Sequence, residues 1–191
     1  MPRRIDIESK RLLLDDFFKV EEACLSYERF DGTMSPRVRR LNFMRGDSVA
    51  ALLHHVERGR VVLVNQFKYP ACTNGAGWIT EVVAGMIEVG ETPESAIHRE
   101  ILEETGYRAR RLTLIATFYV SPGGSSERVT LYCAEISGDP PVGPAGVAAE
   151  NEDIERVELS LDEAFRRLDA GDIIDAKTII ALMWLRARQP R

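Results

Sequence analysis

Three glutamates carry the clearest chemistry in this chain. Glu100, Glu103 and Glu104 stand at positions i, i+3 and i+4. On a helix that spacing puts three carboxylates on one face, with Cβ atoms roughly 5–6 Å apart. They repel one another there, and the negative end of the helix dipole adds to the repulsion. A hard divalent cation reverses the sign, because Mg²⁺ and Mn²⁺ take oxygen ligands and accept several carboxylates. Magnesium also keeps waters and binds phosphate oxygens, so the indicated chemistry is that of phosphate compounds. A glutamate-rich helix with no other signal would be read as a solvated face, and the neighbouring residues argue against that.

Those neighbours supply a helix with a written start and stop. Thr92 is a good N-cap, Pro93 suits the first helical position, and Glu94 favours the positive end. Gly106 suits the left-handed residue that ends a helix. The spacing predicts a helix over about 93–104, entered from the glycine-containing stretch 85–90. Short apolar runs at 49–53, 61–64 and 81–84, then 112–120 and 129–135, read as the strands of a main sheet. An amphipathic helix over 161–168, stopped by Gly171, and a last helix over 177–188 capped by Asp175 complete that part. Ahead of it, residues 5–8 and 18–27 alternate, Asp31-Gly32 signals a turn, and 38–43 reads as a return strand. Few large apolar residues lie in this block, so it must pack on the rest of the chain or on a second copy. The expected division is 1–45 for the N-terminal strand block and 46–191 for the main domain. The stretch 138–146, rich in Gly and Pro, is expected to be a mobile loop.

Composition narrows the classes. The 191 residues are 45% hydrophobic and 29% charged, a globular mixture. The formal net charge of −5 lacks the basic surplus that a general nucleic-acid binder needs. No apolar run reaches the roughly 20 residues that span a bilayer, and no signal-peptide core follows the basic start. Cys24, Cys72 and Cys133 lie far apart with no CxxC pair, as expected of reduced thiols in a cytoplasmic protein without zinc. His54, His55 and His98 have no ligand spacing, and Trp78 and Trp184 read as core or interface residues.

The segment from Gly85 to Tyr107 resembles the Nudix box, G-x5-E-x7-R-E-U-x-E-E-x-G-U, with U a bulky aliphatic residue. Gly85, Glu91, Arg99, Glu100, Ile101, Glu103, Glu104 and Gly106 match. Tyr107 departs from the last aliphatic position, which is a packing position. The resemblance implies an α/β class Nudix fold, an α/β/α sandwich around a mixed β-sheet, here with N-terminal antiparallel strands. It further implies hydrolysis of a nucleoside diphosphate linked to another moiety. Glu100, Glu103, Glu104 and the Ala84 carbonyl would hold two or three Mg²⁺ ions, with Mn²⁺ as a substitute, and Glu91 and Arg99 would join loop and helix by an ion pair.

A second likeness narrows the substrate. Pro122 lies 16 residues after Gly106, in the run Ser121-Pro122-Gly123-Gly124. This resembles the ADP-ribose pyrophosphatases and their relatives acting on GDP-mannose, and it places Pro122 and Gly123 on a substrate-side loop. The run from Ala148 to Ile154 resembles the acidic loop of those enzymes. It makes Glu150 the first choice for general base and Glu152 an extra metal ligand, with exchangeable roles. Residues 172–178 resemble the start of the group's last helix. By the same likeness the N-terminal strands would exchange between the subunits of a homodimer. Phe17 or Phe18 would stack on a base, and Arg40, in a cluster with Arg37, Arg39 and Arg45, would reach the substrate. Lys68 stands where an arginine is expected and keeps the charge without the bidentate fork. The implied reaction is Mg²⁺-dependent cleavage of ADP-ribose to AMP and ribose 5-phosphate, or of GDP-mannose or another nucleotide sugar. A non-catalytic nucleotide-sensing Nudix module is the competing class, and the complete carboxylate set argues against it. A housecleaning or mRNA-decapping enzyme is disfavoured by Pro122 and by the acidic balance.

Overall fold

The computed structural model describes residues 3–140, 145–146 and 153–189. Strands β1 (Ile5–Asp15), β2 (Lys19–Tyr27) and β3 (Val38–Met44) form an antiparallel sheet in that order. Strands β4 (Ser48–His55) and β5 (Arg60–Phe67) follow, then a 3₁₀ turn (Tyr69–Thr73), β6 (Trp78–Glu81) and β7 (Val83–Met86). Helix α1 (Pro93–Thr105) precedes β8 (Arg111–Tyr119) and β9 (Arg128–Ile136), and β10 (Glu155–Ser160), α2 (Leu161–Ala170) and α3 (Ala176–Arg186) close the chain. The larger sheet runs β10-β5-β4-β9-β8, with β6 added on β5 and β7 on β4. It is mixed: β4 lies parallel to β9 and antiparallel to β5 and β7.

By contacts the chain divides into two compact units, Met1–Asp47 with Phe118–Arg128, and Ser48–Thr117 with Val129–Arg191. The second contains the core. Strand β4 is buried on both faces, as its uninterrupted apolar run requires. Val49, Ala51 and Leu53 meet Ala96, Ile97 and Ile101 of α1 in one cluster. Strand residues alternate between faces, so the equally buried Ala50 and Leu52 point the other way, the side on which α3 packs. Helices thus cover both faces of the mixed sheet.

In the first unit, the buried Glu22 of β2 accepts from Arg11 of β1 (2.7 Å) and from Arg39 of β3, so one carboxylate ties three strands. These two arginines hold its pKa below the ordinary glutamate value. The tip between β8 and β9 pairs with β3: the Phe43 N–H donates to the Gly124 carbonyl (2.8 Å), and Phe43 bridges Ser125.

Several elements differ from the sequence expectation. The strand expected at 81–84 is two strands, broken at Val82, because the chain passes there from β5 to β4. Strand β10 has no apolar run to announce it, and an edge position beside β5 tolerates its charges. Strand β1 extends to Asp15, well beyond the alternating residues 5–8. Trp78 is exposed against Phe67 and is not a core residue of this chain. Of the loop 138–146, residues 141–144 lie outside the described residues. Among the described residues, no helix is long and apolar enough to cross a membrane.

Candidate active site

Helix α1 begins as its residues dictate. The Thr92 hydroxyl accepts from the Ser95 N–H (3.1 Å), and the Ser95 hydroxyl accepts from the Thr92 N–H (2.9 Å), a reciprocal capping box. Gly106 ends the helix at φ 73°, with its N–H on the Leu102 carbonyl. Burying Ala96, Ile97 and Ile101 against β4 and β7 fixes the rotation of the helix, and with it the placement of the acids. Glu104 is only 2% exposed, Glu100 is largely covered, and Glu103 is more open.

Arg99 is the hub. Its Nε and Nη2 hold the two oxygens of Glu91 at 3.0 and 2.9 Å, the planar two-pronged geometry that makes arginine–carboxylate pairs strong. Nη2 also donates to the Met86 carbonyl (3.1 Å), and Nη1 donates to Glu100 (2.7 Å) and Glu103 (3.1 Å). The expected ion pair between loop and helix is therefore formed. Arg99, followed by the Glu88 N–H, brings the Glu91 carboxyl down to about 2, and the carboxylates push the guanidinium above its ordinary value.

The Glu100 carboxylate is seated directly on Gly85 of β7. A Cβ at that glycine would overlap both carboxylate oxygens, so only glycine leaves the space. Ala84, whose carbonyl is an expected ligand, is the preceding residue of the same strand. The donor set fits a hard dication: oxygen only, anionic, and close to a main-chain carbonyl. Among the described residues, no three acidic, histidine or cysteine side chains already converge on one point. Instead Arg99 draws Glu100 and Glu103 towards itself and offsets part of their repulsion.

The strand leading to Ala84 carries a polar group that the sequence reading did not single out. Glu81 is 4% exposed, yet its neighbours Ile79, Val82 and Val83 are apolar. It is ion-paired with Lys177 (3.1 Å) and with Lys68 (3.5 Å), and Lys177 also meets Asp175 (2.6 Å). Desolvation pulls the Lys177 ammonium down, but Glu81 and then Asp175 outweigh it and hold its pKa above the ordinary value. An isolated acid within an apolar strand was the available signal, since burial demands a cationic partner.

The other expected residues fall into two groups. Phe17, Phe18, Arg40, Pro122 and Gly123 belong to the first unit, and Lys68 to the second with Ala84 and the box glutamates. Phe18 stacks on Phe43 (5.1 Å), while Phe17 rests edge-on against Phe18 and is 85% exposed. Arg40 is exposed on β3, and Pro122 and Gly123 precede the Gly124 that bonds the same strand. Glu150 and Glu152 lie outside the described residues. The residues flanking them are tied down: Ala145 bridges Ile154, and the Gly146 N–H donates to the Glu103 carbonyl (3.0 Å). Tyr107 is buried and stacks edge-on against His55 (6.0 Å), so the departure from the box pattern is absorbed by packing.

A mixed sheet covered on both faces, presenting a capped acidic helix against a glycine-bearing strand, defines an α/β protein whose helix carries oxygen donors of the kind a hard dication takes. Comparison with known proteins agrees. Residues 44–182 match the NUDIX domain. An ADP-ribose pyrophosphatase of Escherichia coli (strain K12) is 36% identical over 182 residues, covering 95% of this chain and 87% of that protein. A GDP-mannose pyrophosphatase of Pectobacterium atrosepticum is 35% identical over 184 residues, covering 95% and 94%. The crystal structure of an ADP compounds hydrolase shares the fold, with a TM-score of 0.69 at 18% identity over 96% of this chain and 93% of that one. The chain belongs to the Nudix family and is a Nudix hydrolase.

Proposed function

We propose that this hydrolase cleaves the diphosphate of a nucleoside diphosphate sugar. ADP-ribose, giving AMP and ribose 5-phosphate, is the first candidate substrate, and GDP-mannose is the alternative. The relatives that cover nearly the whole chain carry those two names. The observation that carries the chemistry is the seat of the Glu100 carboxylate on Gly85, beside Ala84 and on the same helix as the buried Glu104. A divalent cation held there, Mg²⁺ or Mn²⁺ in its place, supplies charge to the diphosphate and acidifies an attacking water. Glu100, Glu103 and Glu104 hold it with the Ala84 carbonyl, and Arg99 keeps two of those carboxylates oriented.

Glu150 takes the proton of the attacking water and Glu152 adds a ligand, or the two exchange these tasks. Phe17, the more exposed ring, stacks on the base. Arg40 and Lys68 meet negative charge on the substrate, and Pro122 and Gly123 shape the loop beside β3. The chain acts as a homodimer through its N-terminal strands. Strand β1 is a long sheet edge with Leu12, Leu13 and Leu14 exposed, the kind of edge that pairs with another chain.

The test is a substrate panel. Protein stripped with EDTA is assayed with ADP-ribose, GDP-mannose and other nucleotide sugars, with and without added Mg²⁺, and products are identified by mass spectrometry. Magnesium-dependent release of a nucleoside monophosphate and a sugar phosphate is expected. Tight nucleotide binding with no turnover would instead make the chain a sensing module.

A further inference from the structure

Val82 is where the chain leaves β5 for β4, and it pairs with neither strand. Its N–H is therefore outside both ladders, in a fully buried residue, and needs another acceptor. The Thr178 hydroxyl provides it at 2.8 Å, across 96 residues of sequence. Thr178 is also fully buried, and its hydroxyl donates to Asp175 Oδ2 (2.7 Å), the oxygen that caps α3 through the Thr178 N–H (2.9 Å). One residue before Val82, Glu81 is held by Lys177 of the same helical turn. The first turn of α3 thus grips two consecutive residues at the break. Ala84 follows two residues later, then Gly85 with the Glu100 carboxylate upon it.

We propose that Thr178 is a positioning residue for the cation site: its hydroxyl fixes Val82, and with it the height of the Ala84 carbonyl and of the Gly85 seat relative to Glu100. This rests on the reading of Ala84 and the box glutamates as the cation-binding group. No part of Thr178 need touch the cation or the substrate. Thr178→Val preserves shape and removes both the acceptor of the Val82 N–H, leaving that N–H unsatisfied, and the hydroxyl donor to Asp175 Oδ2, which still accepts from the residue 178 N–H. Thr178→Ser keeps the acceptor and loses a methyl group.

The experiment is a Mn²⁺ titration followed by electron paramagnetic resonance on wild type, Thr178→Val and Thr178→Ser, with thermal unfolding of each. Thr178→Val is expected to weaken Mn²⁺ binding by about tenfold, the size of a lost buried acceptor. Its Mg²⁺ activation constant should rise in parallel, with kcat unchanged at saturating Mg²⁺, and Thr178→Ser should restore wild-type binding. Linkage requires the converse in the unaltered protein: saturating Mg²⁺ must slow hydrogen exchange at the Val82 amide. That second measurement decides the matter if Thr178→Val fails to fold. Wild-type Mn²⁺ affinity in a folded Thr178→Val, or exchange at Val82 indifferent to Mg²⁺, overturns the positioning role. Absence of Mn²⁺ binding by the wild type overturns instead the cation-site reading beneath it.

Discussion

The sharpest test of the site is Gly85→Ala, because it adds one methyl group at one place. The three heavy atoms nearest the new Cβ all belong to the Glu100 carboxylate, which it would overlap. Carbon and oxygen atoms rest at about 3.5 Å, so the carboxylate must retreat by more than about 1 Å. Retreat is feasible for the fold, since the obstacle is the far end of a flexible side chain. The displaced rotamer costs about 0.5–1.5 kcal/mol. Gly85 does not have a positive φ, so alanine recovers about 0.4–1 kcal/mol by restricting the unfolded chain. Net stability should therefore change by less than about 1 kcal/mol. Catalysis should not escape, because a misplacement of about 1 Å in a reacting constellation costs about 10²-fold. That corresponds to about 2.7 kcal/mol of transition-state stabilisation. The assay is Mg²⁺-dependent phosphate release from ADP-ribose, coupled through alkaline phosphatase, alongside thermal unfolding and Mn²⁺ titration. A folded Gly85→Ala with wild-type kcat and metal affinity would refute the claim that the Glu100 seat builds the site.

Three further outcomes follow from the same geometry. Glu104→Gln removes the charge of a buried carboxylate with little change of shape, so the fold should stay intact while kcat falls by about 10²–10³-fold, measured by initial rates at saturating Mg²⁺. Glu91 has its carboxyl held at about 2 instead of 4.5, first by Arg99 and then by the Glu88 N–H. A depressed carboxyl contributes stability that is complete above 4.5 and is lost as pH falls towards 2. Unfolding temperatures of wild type and Glu91→Gln should therefore differ at neutral pH and converge across that window, and a pH-independent gap would contradict the ion pair. Leu12→Asp combined with Leu14→Asp places charges on the exposed β1 edge and should yield a monomer in sedimentation velocity, whereas an unaltered dimer would move the interface elsewhere.

The parts legible in the sequence are those whose physics is local. Thr92, Pro93 and Gly106 announce the ends of α1, and the 3.6-residue repeat alone puts Glu100, Glu103 and Glu104 on one face. Apolar runs at 49–53 and 61–64 announce buried strands because no other residues survive between two covered faces. Less was legible where a strand's neighbours decide its role. Strand β10 is charged and exists because β5 offers it a ladder, and the apolar stretch after Trp78 divides only because its two halves pair with different strands.

The sequence by itself determined the acidic helix, its caps and the likeness to the Nudix box, and that likeness implied the Arg99–Glu91 ion pair which the structure shows formed. Tertiary structure alone decided that Glu100 rests on Gly85, that Glu81 is neutralised by Lys177 and Lys68, and that Thr178 completes the hydrogen bonding of Val82. The reason is reach. Capping and helical spacing act within a few residues, whereas a buried carboxylate or an orphaned N–H must find its partner wherever packing brings one, and here that partner lies on α3, some hundred residues along the chain.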